Sequence, residues 1–146
     1  MKKSLRKKNL SILAKANDDF LFKIFNQSFL PQSYVWLRKP EIGTVMVQGR
    51  IGAVGDQFNL GEITVTRCSL KIKGEIVGHG YSKGRNKEKV KIIALCDALS
   101  QTSKLEQVKK YILEPLRIEE SKNQKLEKEK AAATKVEFFT MARGER

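Results

Sequence analysis

Apolar positions recur along this chain with two different spacings, and the change from one to the other divides it. Over residues 5–29, Leu10, Leu13 and Ala14 fall on one helical face and Leu21, Ile24 and Phe25 on another, three or four residues apart. Asn17 stands between the two sets, with Asp18 and Asp19 directly after it. An Asn side chain caps orphan N–H groups, and carboxylates favour the positive end of the helix dipole. The pattern therefore predicts two helices, closed by Pro31.

The middle of the chain is rich in Val, Ile, Thr and aromatic residues broken by Pro or Gly, which predicts four strands: Ser33–Arg38, Thr44–Arg50, Glu62–Ile72 and Glu75–Tyr81. The connectors Lys39–Gly43 and Lys73-Gly74 are too short for a parallel crossover, so pairing is expected to be antiparallel. In the third strand, Ile63 and Val65 face one side and Cys68, Leu70 and Ile72 the other, with Arg67 at the change of phase. Either a bulge re-aims Arg67 or the strand is covered on both faces.

Helical spacing returns after Asn86, a second predicted cap, with Ile92, Leu95, Cys96 and Leu99 as the buried stripe of a helix reaching Gln101. It resumes over Leu105–Leu113, where Glu106 and Lys110 form a favourable pair four apart, and Pro115 is expected to interrupt it. Residues 117–134 read as a polar helical linker, and residues 135–144 as an apolar tail carrying Phe138, Phe139 and Met141 with Arg143. The expected fold is thus α+β: an antiparallel four-stranded sheet with an N-terminal helical pair and C-terminal helices, in one domain over residues 1–146.

Composition agrees with a single folded domain. A chain of 146 residues buries roughly 68–70% of its unfolded surface and needs no staple. Two cysteines and one histidine make neither a disulfide framework nor the usual zinc site. Cys68 and Cys96 lie in apolar contexts, as expected for reduced thiols in the cytoplasm. The basic start resembles a signal-peptide head, but Asp18-Asp19 ends the apolar run that follows, and no stretch is apolar enough to span a bilayer.

A net charge of +13 brings phosphates, acidic surfaces and nucleic acid forward as partners. Residues 1–39 alone hold nine basic and two acidic side chains, a balance of +7. Yet 21 of the 29 basic residues are lysines, no nucleic-acid reading motif is present, and arginine is the residue suited to bidentate phosphate contact. The arginines beside glycines are the candidates: Arg50 in Gly49–Gly55, Arg67, and Arg85 after Gly78-His-Gly-Tyr-Ser-Lys-Gly84. The Gly49–Gly55 segment lacks a P-loop lysine and leads into a strand, so it fails as a dinucleotide fingerprint. The glycine-bearing run before Arg85 opens a helix; it is either an anion site among Lys83, Arg85, Lys87, Lys89 and Lys91 or a plain turn with solvated lysines. His79 is either an acid or base or a hydrogen-bonding partner, without a nucleophile or carboxylate evident beside it. Glu62 and Asp97 are isolated carboxylates.

The same blocks resemble a known family. Gly52-Ala-Val-Gly-Asp-Gln-Phe-Asn-Leu-Gly-Glu62, Thr64-Val-Thr-Arg-Cys68, Gly78-His-Gly-Tyr81, Gly84-Arg85, Ala94-Leu95, Asp97-Ala-Leu99 and Gln101 are similar to the PhnG subunit of the carbon–phosphorus lyase system. Val136-Glu-Phe-Phe-Thr-Met-Ala-Arg-Gly144 resembles that family's tail. The match is dense over residues 43–101 and returns at 135–144, with Ala53, Lys83 and Asn86 as departures.

The resemblance implies a cytoplasmic subunit acting with PhnH-, PhnI- and PhnL-type partners. Together these exchange the adenine of ATP for an alkylphosphonate, giving a ribose 1-alkylphosphonate 5-triphosphate. Nucleosidase chemistry is attributed to the PhnI-type partner and radical cleavage to the PhnJ-type partner. It further implies a mainly scaffolding role, with ATP as the substrate of the complex and no cofactor bound by this chain alone. On that reading Phe138, Phe139, Met141 and Arg143 dock on a partner, or else form a last strand on the chain's own sheet. Arg50, Arg67 and Arg85, with His79 supporting, then hold phosphorus oxyanions at a shared interface or pair with acidic partner surfaces. The competing class is a basic nucleic-acid-binding module; no membrane role is expected.

Overall fold

A helix that is apolar on nearly every side must lie between two layers, and here that helix is α3 (Lys87–Leu99), in which every residue from Ile92 to Leu99 is buried. The computed structural model describes residues 3–28, 33–52, 54–73 and 75–135. In chain order these form α1 (Lys3–Lys15), α2 (Asp18–Gln27), β1 (Tyr34–Arg50), β2 (Gln57–Ile72), β3 (Ile76–Lys83), α3, α4 (Leu105–Val108) and α5 (Glu114–Ala133). One side of α3 packs on β2 and β3, while α1 and α2 lie against it elsewhere. Leu13, Leu21, Leu70, Ile93, Leu99 and Ile112 meet in this core with almost no exposure. Each such side chain contributes roughly 1.5–3 kcal/mol by leaving water.

Both predicted caps form. Asn17 accepts the Phe20 N–H at 3.2 Å and Asn86 accepts the Lys89 N–H at 3.0 Å. Gln101 turns its amide back to Val77 O and Asp97 O, tying the end of α3 to β3.

The sheet is antiparallel but has three strands in the order β1-β2-β3, not four. Pro40 and Gly43 do not break the chain: the strands expected over Ser33–Arg38 and Thr44–Arg50 merge into one long strand, Tyr34–Arg50. β1 is an edge, and its register against β2 shifts between Trp36 and Arg38 and between Arg38 and Glu41. A proline lacks only an N–H, and a bulge on an edge strand leaves that N–H unneeded. The irregularity suspected at Arg67 thus lies on the neighbouring strand, since β2 pairs with β3 without interruption from Val65 to Ile72.

Pro115 does not interrupt either. Lys109–Leu113 widens into a π turn in which the Glu114 N–H reaches Lys109 O, and the helix runs on through Pro115. The wider turn accommodates a ring that would otherwise clash one turn back. Leu116 is the buried residue of α5, and nearly all of the helix beyond Glu120 faces water. Among the described residues no helix is long and apolar enough to cross a membrane.

Candidate functional site

Strict alternation along β3 separates two faces. Gly78, Gly80 and Ser82 are buried toward α3, while His79, Tyr81 and Lys83 point outward. On β2 the same division puts Thr66, Cys68, Leu70 and Ile72 inward and Arg67, Ser69 and Lys71 outward. On β1 the outer face receives Arg38, opposite Ser69, and Glu41, opposite Arg67.

Ser69 lies at the centre of this polar outer face. Its hydroxyl is 2.9 Å from His79 Nδ1. Arg67 donates from Nε to Glu41 Oε1 at 2.6 Å, and Arg38 Nη1 stands 3.6 Å from the same oxygen. Lys71 and Glu75 close an adjacent pair at 2.7 Å. From behind the sheet, the backbone N–H of His79 donates to Asp97 Oδ2 at 2.9 Å. That carboxylate is itself clamped by Arg6. The hydrogen bond to Asp97 raises the Arg6 pKa, outweighing the desolvation that opposes it.

Of the sequence candidates, the structure brings Arg67 and His79 to one face and separates the other two arginines. Arg50 ends β1, twelve residues from Arg38, roughly 35–40 Å along a strand, and its side chain hydrogen-bonds, among the described residues, to Gly55 O at 3.4 Å. Arg85 follows the turn at Gly84, exposed, without a hydrogen bond or ion pair to the described residues. Phe138, Phe139, Met141 and Arg143 lie outside the described residues. Arg38, Glu41, Ser69 and Tyr81 were missed; the polar alternation Arg67-Ser69-Lys71 against His79-Tyr81-Lys83 was the available signal.

In the glycine run before Arg85, Gly78 and Gly80 serve close packing. A Cβ on Gly78 would sit 2.0 Å from Ala94 O, and one on Gly80 2.0 Å from Val90 O. These glycines exist so that α3 can press against β3. The start of α3 already has its own anion: Asn86 Nδ2 donates to Asp18 Oδ2 at 2.7 Å, and Lys89 Nζ reaches Asp18 Oδ1 at 2.8 Å and Ala16 O at 2.6 Å. Burial disfavours the Asp18 carboxylate, but hydrogen bonds from Lys89 and Asn86 prevail and lower its pKa. The buried thiols follow desolvation upward, Cys68 to about 11 and Cys96 to about 12, so neither is a ready nucleophile.

Beyond Gly43 and Val65, where β2 no longer pairs with β3, the β1–β2 hairpin continues as a two-stranded, mostly exposed arm. Val45 pairs with Ile63, and Gly49 with Phe58, on the outer face, with Leu60 bulged between Asn59 and Gly61. The opposite face of the arm is mostly polar, with Met46 among Thr44, Glu62 and Thr64 and with Gln48 donating to Asn59 at 3.4 Å. Its tip presents Ile51 at 68% and Val54 at 94% exposure.

Comparison with known proteins places these features in a family context. A family model described as "Phosphonate metabolism protein PhnG" matches residues 4–144. A relative from Rhizobium meliloti (strain 1021), named alpha-D-ribose 1-methylphosphonate 5-triphosphate synthase subunit PhnG, is 40% identical over 109 residues, covering 75% of this chain and 70% of the relative.

Proposed function

The chain belongs to the PhnG family of phosphonate metabolism proteins, and from that premise we propose that it is an accessory subunit of a ribose 1-alkylphosphonate 5-triphosphate synthase. In this role it assembles with PhnI-, PhnH-, PhnL- and PhnJ-type partners in the cytoplasm. ATP is the substrate of the whole complex, and this chain binds no cofactor by itself. Its contribution is to scaffold the assembly and complete a shared site, not to perform the exchange alone.

The arm carries this reading. A two-stranded ribbon with Val45, Ile51, Val54, Phe58, Leu60 and Ile63 all exposed carries apolar surface that nothing among the described residues covers. Isolated hairpins are marginal in water, and contiguous exposed apolar surface marks an interaction site. A relative named as a synthase subunit supports a neighbour of that kind. The polar face around Ser69 continues directly from the arm's apolar face, which puts Arg67 and His79 at the border of such an interface. The tail with Phe138, Phe139, Met141 and Arg143 provides a second contact to the PhnI-type partner.

Co-expression with the partner subunits, followed by size exclusion and an assay of adenine release, tests this. Replacing residues 45–63 by a two-residue Asn-Gly turn should leave a folded chain that no longer co-purifies. Truncation after Lys135 should also release the partner. An intact, active complex from the armless chain defeats the proposal.

A further inference from the structure

Two guanidiniums sharing one carboxylate, beside a serine held by a histidine, leave several donors without a hydrogen-bond partner among the described residues. We propose that this outer face, centred on Ser69, is a binding site for a tetrahedral phosphorus oxyanion, a phosphonyl or phosphoryl group. Arg38 and His79 stand on either side of Ser69 in register, and Arg67 lies two residues along β2 on the same face. Neighbouring strands are about 5 Å apart, and residues two apart on a strand about 7 Å. One small anion above Ser69 is therefore within reach of all three side chains.

These side chains are held without being exhausted. Arg67 spends Nε on Glu41, while its two terminal nitrogens make no hydrogen bond to the described residues. Arg38 approaches the same carboxylate only to 3.6 Å, beyond hydrogen-bonding distance, so its planar fork has no hydrogen bond to the described residues. His79 uses Nδ1 on Ser69 and leaves Nε2 unpaired among the described residues. Tyr81, opposite Arg67 and 49% exposed, walls one side. Glu41 is a positioning residue: it holds two guanidiniums side by side and neutralises only one of them. The adjacent Lys71–Glu75 pair shows what a plain ion-pair ladder looks like, one cation closed on one carboxylate. The Arg38–Glu41–Arg67 group departs from that pattern by one positive charge, and arginine forks match the oxygens of a phosphoryl group.

Identifying the anion with a synthase substrate rests on the reading above; the site itself does not. The test uses the full-length chain, isotopically labelled and titrated in separate experiments with methylphosphonate and with inorganic tripolyphosphate. Saturable resonance shifts are expected at Arg38, Arg67, Ser69, His79 and Tyr81. Saturation by methylphosphonate assigns a single phosphonyl group, and saturation by tripolyphosphate alone assigns a phosphate chain; either supports the site. Arg67→Gln and Arg38→Gln should each weaken binding at least fivefold, whereas Arg85→Gln should change it less than twofold. Native amide spectra of the variants show that the fold is kept. Shifts confined to the lysines of α1 and α5, equal losses in Arg67→Gln and Arg85→Gln, or no saturation with either probe overturns the proposal. Because no partner is needed, failure here is distinct from failure of the arm to mediate assembly.

Discussion

Arg6 grips Asp97 with two parallel bonds, Nε to Oδ1 at 2.8 Å and Nη2 to Oδ2 at 2.7 Å, across 91 positions of sequence. The Asp97 side chain is 1% exposed, and the same carboxylate accepts the His79 N–H. One buried acid thus joins the first helix, the central helix and the strand that carries His79. Removing one partner from a buried charged network is far costlier than the net worth of the pair. Asp97→Ala should destabilise the fold by about 3 kcal/mol in urea denaturation, since it strands the guanidinium. Arg6→Met should cost at least as much, about 3 kcal/mol, because it leaves the Asp97 carboxylate, whose side chain is 1% exposed, without its counter-ion.

Gly78→Ala and Gly80→Ala test the contact between α3 and β3. Each new methyl group would meet a backbone carbonyl 2.0 Å away, so the helix itself must shift. Losses of at least ~2–3 kcal/mol are expected, read as a lowered thermal midpoint. Gly43→Ala, which meets nothing within 4 Å, should be close to neutral.

Asp18 gives a signed pH dependence. Its folded-state pKa lies below the ordinary 3.8, so its contribution is complete above that value and is lost as pH falls through the folded pKa. With the Asp18 side chain 42% exposed, screening by water keeps the amount below ~1 kcal/mol. Comparing wild type with Asp18→Asn between about pH 5 and pH 2 should show this part of the acid slope disappearing in the variant. At pH 7 the same variant should be less stable, since the largely buried Lys89 ammonium loses its counter-ion.

Cys68 and Cys96 should resist a thiol reagent at pH 8 in the native protein and both react once it is unfolded. Burial, with the Cys68 thiol donating to Val90 O at 3.2 Å, keeps them protonated and covered. Rapid labelling of either in the folded chain contradicts this packing.

Asn9 is 7% exposed, and its Nδ2 has no hydrogen-bond partner among the described residues. Asn9→Leu removes an unsatisfied buried donor of similar size and should stabilise the protein by about 1 kcal/mol, measured by its denaturation midpoint.

What the sequence by itself determined is local. Asn17 and Asn86 cap helices because a side chain three residues from an N–H needs nothing else, and the apolar spacings of α1, α2 and α3 announce the faces they bury. The α+β class and the family blocks were legible for the same reason, being written in consecutive residues. Tertiary structure decided the rest. Pro40 reads as a break until its strand is found at an edge, and Pro115 until the π turn before it relieves the clash. The glycines around His79 look like a phosphate loop until α3 is seen pressing on them. Arg67, an isolated arginine in the chain, gains Arg38, Glu41 and Ser69 only when strand register brings them together. Arg6 and Asp97 meet only when two helices pack. Hydrogen-bonded caps and periodicity depend on neighbours along the chain; charge clusters and clamps depend on neighbours across it, which no single stretch of sequence contains.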